Sequence, residues 1–215
     1  MKVYPIGLSN SQGSLAVIVG GGKIAARKLI SLWETDFHIK IISPNFCSEV
    51  INLTIQDRSM PLQLIQRKYQ NGDLQSAFLV IAATDDHTVN ETVWQEAMQE
   101  KSLINMVDDT TKSNFCNLAV IKRSQLTIAI SSGGACPALV AWLRNKIETC
   151  IETDFDELLE MAAQVRIKLL SQGTRKERTS IQSWDTFNTS LLTILTEQGI
   201  DAAKQFLATA LQPPP

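Results

Sequence analysis

The stretch SLAVIVGGGKIAARK, residues 14–28, decides the architecture. Its opening is an almost wholly apolar run, the pattern of a strand covered on both faces. Three glycines interrupt it, and residues 23–34 then read as a helix without a breaker. Gly20, Gly22 and Ala25 fit the spacing G-x-G-x-x-A. Glycines in a strand-to-helix turn permit a tight bend and let the backbone approach a pyrophosphate. The free N–H groups and positive dipole of the helix start attract its charge. The bare motif is weak, but its place between a strand and a helix points to a dinucleotide.

Outward from that stretch the chain alternates between two periods. HIKIIS (38–43) is a second strand, stopped by Pro44, and LQLI (62–65) a third. FLVIAAT (78–84) is a fourth, a helix-compatible stretch over 88–101 follows, and LINMV (103–107) is a fifth. Strands alternating with helices predict right-handed βαβ units and a parallel sheet, so the first part is α/β and Rossmann-like. The pattern then changes. NLAVIKR and QLTIAISS (117–123, 125–132) lie too close for a crossover and read as an antiparallel pair. A helix over 138–148 follows. From Asp154 the chain reads as helical, with Phe155, Leu158, Leu159, Ala162, Val165 and Leu169 on one stripe, and shorter helices at 187–195 and 202–211. Three parts are expected: a Rossmann-like NAD-binding domain over 1–112, a strand-and-helix dimerisation segment over 113–149, and an all-helical domain over 150–215. The middle part is too small to close a core alone, so its strands are expected to pair with a second copy, giving a homodimer.

Composition narrows the function classes. The 215 residues carry a net charge of −2, with 44% hydrophobic and 20% charged residues. This balance argues against a nucleic-acid binder, which carries a basic excess. No run approaches the ~20 apolar residues of a membrane span, and the first ten residues lack a signal-peptide core. Four scattered cysteines without C-x-x-C suit a reduced, cytoplasmic setting, and with two distant histidines they predict no metal site.

Further candidates lie where strands end. Ser43, Pro44 and Asn45 stand at the end of the second strand, where an acid usually grips a ribose. Ser43 and Asn45 can hydrogen-bond that ribose, and no arginine awaits a 2′-phosphate, which favours NAD over NADP. Thr84 to Asp86 end the fourth strand on the same crevice, and Asn90 opens the next helix, as a cofactor contact or a loop tie. Asp108 and Asp109 follow the fifth strand. Adjacent residues point opposite ways, so one of the two is expected to face the crevice as general base or orienting group. In SSGGACPAL (131–139), Pro137 suits the first turn of a helix. Ser131, Ser132, Gly133 and Gly134 thus form a loop at its positive end, either an anion site or a plain cap.

Taken together, VGGGKIAARK, SPNF, FLVIAATDDHTVN, INMVDD and LTIAISSGGACPALVAWLRNKIE resemble, in order and spacing, the precorrin-2 dehydrogenase family, which includes the amino-terminal module of sirohaem synthase. The resemblance spans residues 4–148. It implies NAD-dependent oxidation of precorrin-2 to sirohydrochlorin, with some members also inserting ferrous iron as ferrochelatases, in a strand-exchanged dimer. By position it places the key aspartate on Asp108, NAD contacts on Lys23, Ile24 and residues 43–45, and a tetrapyrrole-site serine on Ser132. Gly133 joins Ser132 at the anion-accepting helix end, and Asn105, the polar residue within the fifth strand, is grouped with them for substrate. Leu118 and Ala135–Cys136 depart from the family's usual Pro and its second hydroxyl. A chain of 215 residues leaves no room for a methyltransferase module, so methylation is expected from a separate protein. Two rival readings are a NAD-sensing regulatory dimer without catalysis, which leaves Asp108 idle, and a hydroxy-acid dehydrogenase, which would depend on His87.

Overall fold

The structure is a computed structural model that describes residues 4–8, 12–57, 59–172 and 179–212. It divides into two compact units, one of residues 4–117 and one beginning at Leu118.

The first unit is the expected α/β sheet. Its strands are β1 (Leu15–Val19), β2 (His38–Ile42), β3 (Leu62–Ile65), β4 (Ala77–Ala82) and β5 (Leu103–Met106). All pair in parallel in the order β3-β2-β1-β4-β5. The chain moves outward from β1 in one direction and then returns to build β4 and β5 on the other side. The crevice between the carboxyl ends of β1 and β4 is therefore the topological switch point, where such sheets bind ligands.

Both faces are covered. Ala16, Ile18, Ile41, Leu79 and Ile81 pack with Ala25, Ala26 and Leu29 of α1 (Lys23–Leu32) and Val50 of α2 (Ser48–Thr54). Val17, Val19, Ile42, Val80, Ile104 and Met106 pack with Val93 and Ala97 of α3 (His87–Gln99). The central strands are apolar on both sides because helices cover both. α2 was not legible in the sequence: SEVINLT is seven residues long and buries only Val50.

The outer edge of β5 is sealed by side chains. Ile104 N–H donates to Asn114 Oδ1 (2.7 Å) and Met106 N–H to Ser113 Oγ (2.8 Å). This satisfies amides that would otherwise recruit a sixth strand.

The second unit begins with the antiparallel pair β6 (Ala119–Arg123) and β7 (Leu126–Ile130) and continues into α4 (Pro137–Cys150). Three helices follow: α5 (Phe155–Gln172), α6 (Thr179–Gln198) and α7 (Ile200–Leu211). Leu158 and Val165 of α5 meet Ala203 and Leu207 of α7 in a separate core, which Phe155, Ala162 and Leu169 of the expected stripe join and Leu159 does not. α6 is longer at both ends than the helix expected at 187–195. The basic stretch RKER at 175–178, which the sequence offers either as help in holding a carboxylate-rich substrate or as a solvated loop, lies outside the described residues. No helix among the described residues is long and apolar enough to cross a membrane.

Candidate active site

The three glycines play three different parts. Gly20 has φ +123°, and a Cβ there would lie 2.2 Å from the carbonyl oxygen of Ala83. Only glycine lets the loop after β1 pass so close to the loop after β4. Gly21, the unscored middle position of the motif, is packed just as tightly, since a Cβ there would lie 2.1 Å from Asn45 O. Cys47 N–H donates to Gly21 O at 2.8 Å, tying this loop to the end of β2. Gly22 is different: its φ of −84° suits any residue, and a Cβ would meet nothing within 4 Å. The fold does not require glycine at 22.

Gly22 is also the N-cap of α1, with no side-chain cap and no acid in the first turn. α3 contrasts with it, because the Asp86 carboxylate accepts from Thr88 N–H and Val89 N–H and closes that helix start. Of the two helices that open at the switch point, α1 alone has a start open to an anion. Lys23 and Ile24 are exposed there, while Ala25 is buried against the sheet. An open helix start beside unfilled space at Gly22 fits a dinucleotide pyrophosphate.

At the end of β2, Ser43 is 7% exposed and donates its hydroxyl to Asn45 O (2.7 Å). Its proton stabilises the turn, so the Ser43 hydroxyl can offer a ribose only an acceptor. Pro44 and Asn45 form the outer part of that turn. No basic side chain stands among residues 43–46.

The end of β5 separates the two aspartates. Asp109 Oδ1 accepts from Thr111 N–H (2.9 Å) and Thr111 Oγ1 (2.6 Å), capping the 3-10 turn Thr110–Lys112. Asp108 turns instead toward α3. Its Oδ2 receives Asn90 Nδ2 (2.9 Å) and faces His87 Nδ1 at 2.8 Å. Burial pushes the Asp108 carboxyl up, but the hydrogen bonds from Asn90 and His87 outweigh it and hold the group below its ordinary value of 3.8. Asp108 is thus a carboxylate at neutral pH, with a side chain 23% exposed. Thr84 closes the cluster: its hydroxyl donates to Asn90 Oδ1 (2.7 Å) and its carbonyl accepts from Asn90 Nδ2 (2.9 Å).

Two substrate candidates take other roles. Asn105 is 7% exposed and donates to Phe115 O (3.2 Å), so it pins the chain beyond β5 to the sheet. Gly133 N–H donates to Ser131 Oγ (3.0 Å), which removes that amide from an anion site. Ser132 Oγ accepts from Cys136 N–H (3.1 Å) and is exposed, leaving its hydroxyl proton to offer. Sequence reasoning missed the partners of Asp108. Asn90 was left undecided and His87 was set aside. Their i, i+3 spacing on one helix face, opposite a strand-end acid, was the available signal. No group of three or more His, Cys, Asp or Glu positioned for a metal occurs among the described residues.

Comparison with known proteins bears on the fold and on the class of cofactor. Residues 8–119 match the family described as “Putative NAD(P)-binding”, and the chain belongs to it. Residues 123–149 match the family described as “Sirohaem biosynthesis protein central”. The siroheme synthase of Mannheimia succiniciproducens is 32% identical over 213 residues, 98% of this chain and 44% of that one. The siroheme synthase of Acinetobacter baylyi is 32% identical over 212 residues, 98% of this chain and 46% of that one. The chain thus spans less than half the length of these curated relatives. Among solved structures, “SirC, precorrin-2 dehydrogenase” superposes with a TM-score of 0.74 at 22% identity, covering 97% of this chain and 98% of that one. That likeness shows the fold.

Proposed function

We propose that this chain oxidises precorrin-2 to sirohydrochlorin with NAD as hydride acceptor. The observation that carries the reading is the switch-point crevice. It combines an uncapped helix start and unfilled space at Gly22 with an ionised, hydrogen-bonded Asp108 at the end of β5. The names of the relatives and of the superposed structure support the choice of substrate.

When bound, the nicotinamide supplies a hydride acceptor. The Gly20–Gly22 turn, with the amides of Lys23 and Ile24 and the close of the first turn at Ala25, holds the pyrophosphate. Pro44 and Asn45 flank the ribose, and Thr84 shapes the crevice wall. The absence of a basic residue at 43–46 favours NAD over NADP. Oxidation removes a hydride and a proton from the macrocycle. Asp108 is the base that receives or steers the proton, at the oxygen not bonded to Asn90. In the second unit, the exposed Ser132 hydroxyl keeps a proton to offer an anion such as a substrate carboxylate.

Dimerisation through the segment after β5 belongs to the same proposal. α4 buries none of its residues, and Leu139 (62% exposed) and Trp142 (61%) stand open on it. An apolar face of this kind suits a second copy. Sedimentation of a monomer at micromolar concentration would remove the dimer. Cofactor choice is tested by titrating NADH and NADPH against protein fluorescence: NADH should bind at least about tenfold more tightly, and equal affinities would overturn the preference.

A further inference from the structure

We propose that Asn90 is the positioning residue for Asp108: it holds Oδ2 in place and leaves Oδ1 as the oxygen that meets the substrate. The inference rests on the reaction proposed above and names how its base is set.

Asn90 is 1% exposed and every polar atom of its side chain is engaged. Oδ1 accepts from the Thr84 hydroxyl (2.7 Å), and Nδ2 donates to Thr84 O (2.9 Å) and to Asp108 Oδ2 (2.9 Å). The two bonds to Thr84 fix the amide's orientation, so the nitrogen rather than the oxygen faces the carboxylate. A residue that only tied down its own loop would need those two bonds alone. The third crosses from α3 to the end of a different strand and ends on an acid. His87 also reaches Oδ2, but its side chain is 87% exposed, so water competes for that contact. Both contacts fall on one oxygen, which breaks the symmetry of the carboxylate and orients it. The titratable and charged groups around Asp108 are His87 on α3, the neighbouring Asp109, and Lys112 on the 3-10 turn, whose ammonium feels the Asp108 charge.

Asn90→Asp keeps an acceptor for the Thr84 hydroxyl and replaces the donor by a like charge. Thr84→Val removes the hydroxyl that orients the Asn90 amide, together with that hydroxyl's longer contacts to Asp86 O (3.1 Å) and from Asp86 N–H (3.2 Å). The direct readout is the titration of Asp108 followed by carboxyl carbon-13 NMR, assigned against Asp108→Asn. Asp108 should titrate at higher pH in Asn90→Asp, and by a smaller step in Thr84→Val. The acid limb of kcat for precorrin-2 oxidation should move up with it. At the optimum, kcat should fall about tenfold to a hundredfold, the worth of a lost hydrogen bond to a charged group. In Asn90→Asp, KM for precorrin-2 and the affinity for NADH should stay within about threefold. Folded variants with an unmoved Asp108 titration and an unmoved pH profile would overturn the proposal. If Asn90→Asp does not fold, Thr84→Val decides by the same two readouts. A wild-type protein inactive toward precorrin-2 would sink the reaction alone, since the NMR titration tests positioning without turnover.

Discussion

Replacing each glycine of the β1–α1 turn by alanine separates what the fold needs from what the cofactor needs. At Gly21 the new Cβ would sit 2.1 Å from Asn45 O and 2.8 Å from Ser43 Oγ. The backbone must shift, which costs about 1–3 kcal/mol or more. Gly20→Ala adds a φ of +123° to a clash with the Ala83 carbonyl, and is the worst of the three. At Gly22 the Cβ meets nothing within 4 Å. Alanine is poorer than glycine at an N-cap by about 0.5–1 kcal/mol. Lost freedom of the unfolded chain offsets about 0.4–1 kcal/mol of that. The net effect is under ~1 kcal/mol, which at this size moves Tm by no more than about 4 °C. The same methyl group blocks the approach of a pyrophosphate, so affinity for NADH should fall about tenfold to a hundredfold, the worth of a lost charge-assisted hydrogen bond. Thermal melts by circular dichroism and NADH fluorescence titrations of the three variants read both quantities. A Gly22→Ala protein melting as early as Gly21→Ala would refute the packing argument. One that melts normally and binds NADH like wild type would refute the placement of the pyrophosphate.

Other perturbations test other parts of the first unit. His87→Ala should lower kcat less than about tenfold, as a polar contact from so exposed a side chain is worth at most ~1 kcal/mol; loss of all activity in a steady-state assay would favour the hydroxy-acid reading. Tyr69 donates to the buried carboxylate of Glu96, which also accepts from Leu74 N–H at 2.8 Å. Tyr69→Phe removes a donor from a buried charge and should cost about 1–3 kcal/mol in urea unfolding; an unchanged midpoint would contradict this. The Arg67 guanidinium, bonded to Asp73 at 2.6 and 2.7 Å, holds that carboxyl below 3.8. Its folded pKa lies below the unfolded one, so its contribution is complete above the unfolded value and fades as pH falls through the folded value. Asp73→Asn should therefore destabilise at pH 7, with the gap to wild type closing under acid conditions; a pH-independent gap in urea titrations would refute the coupling.

The sheet was legible because its strands are buried on both faces and so appear as unbroken apolar runs. The fifth strand showed itself in the same way, although its edge depends on Ser113 and Asn114, whose side chains act locally and leave no periodic signature. α2 was missed because seven residues burying one valine carry no period. The glycine motif gave the crevice but not every glycine that builds it. It scores Gly20, which the packing does require, and Gly22, which it does not, and it passes over Gly21, whose non-bonded approach to Asn45 cannot be seen in one dimension. For Asp108 and Asp109, alternation predicts that only one faces the crevice, and Asp109 is engaged by the Thr111 cap while Asp108 turns to α3. Ser43, Asn105 and Gly133 were read as ligand contacts from polarity and position. Each makes a hydrogen bond within the protein that depends on where a distant or looping carbonyl or hydroxyl falls in space.

The central claim is that this crevice oxidises precorrin-2 through Asp108 with NAD. Its most direct test is an anaerobic assay with precorrin-2 generated in situ, NAD present and metal absent, following NADH and the visible spectrum together. Wild type should produce NADH and sirohydrochlorin in step, with the rate falling about a hundredfold or more in Asp108→Ala, the usual worth of a general base. Adding ferrous iron to the product mixture then tests metal insertion separately. Binding of NAD without any NADH formation, or an Asp108→Ala protein as active as wild type, would contradict the account.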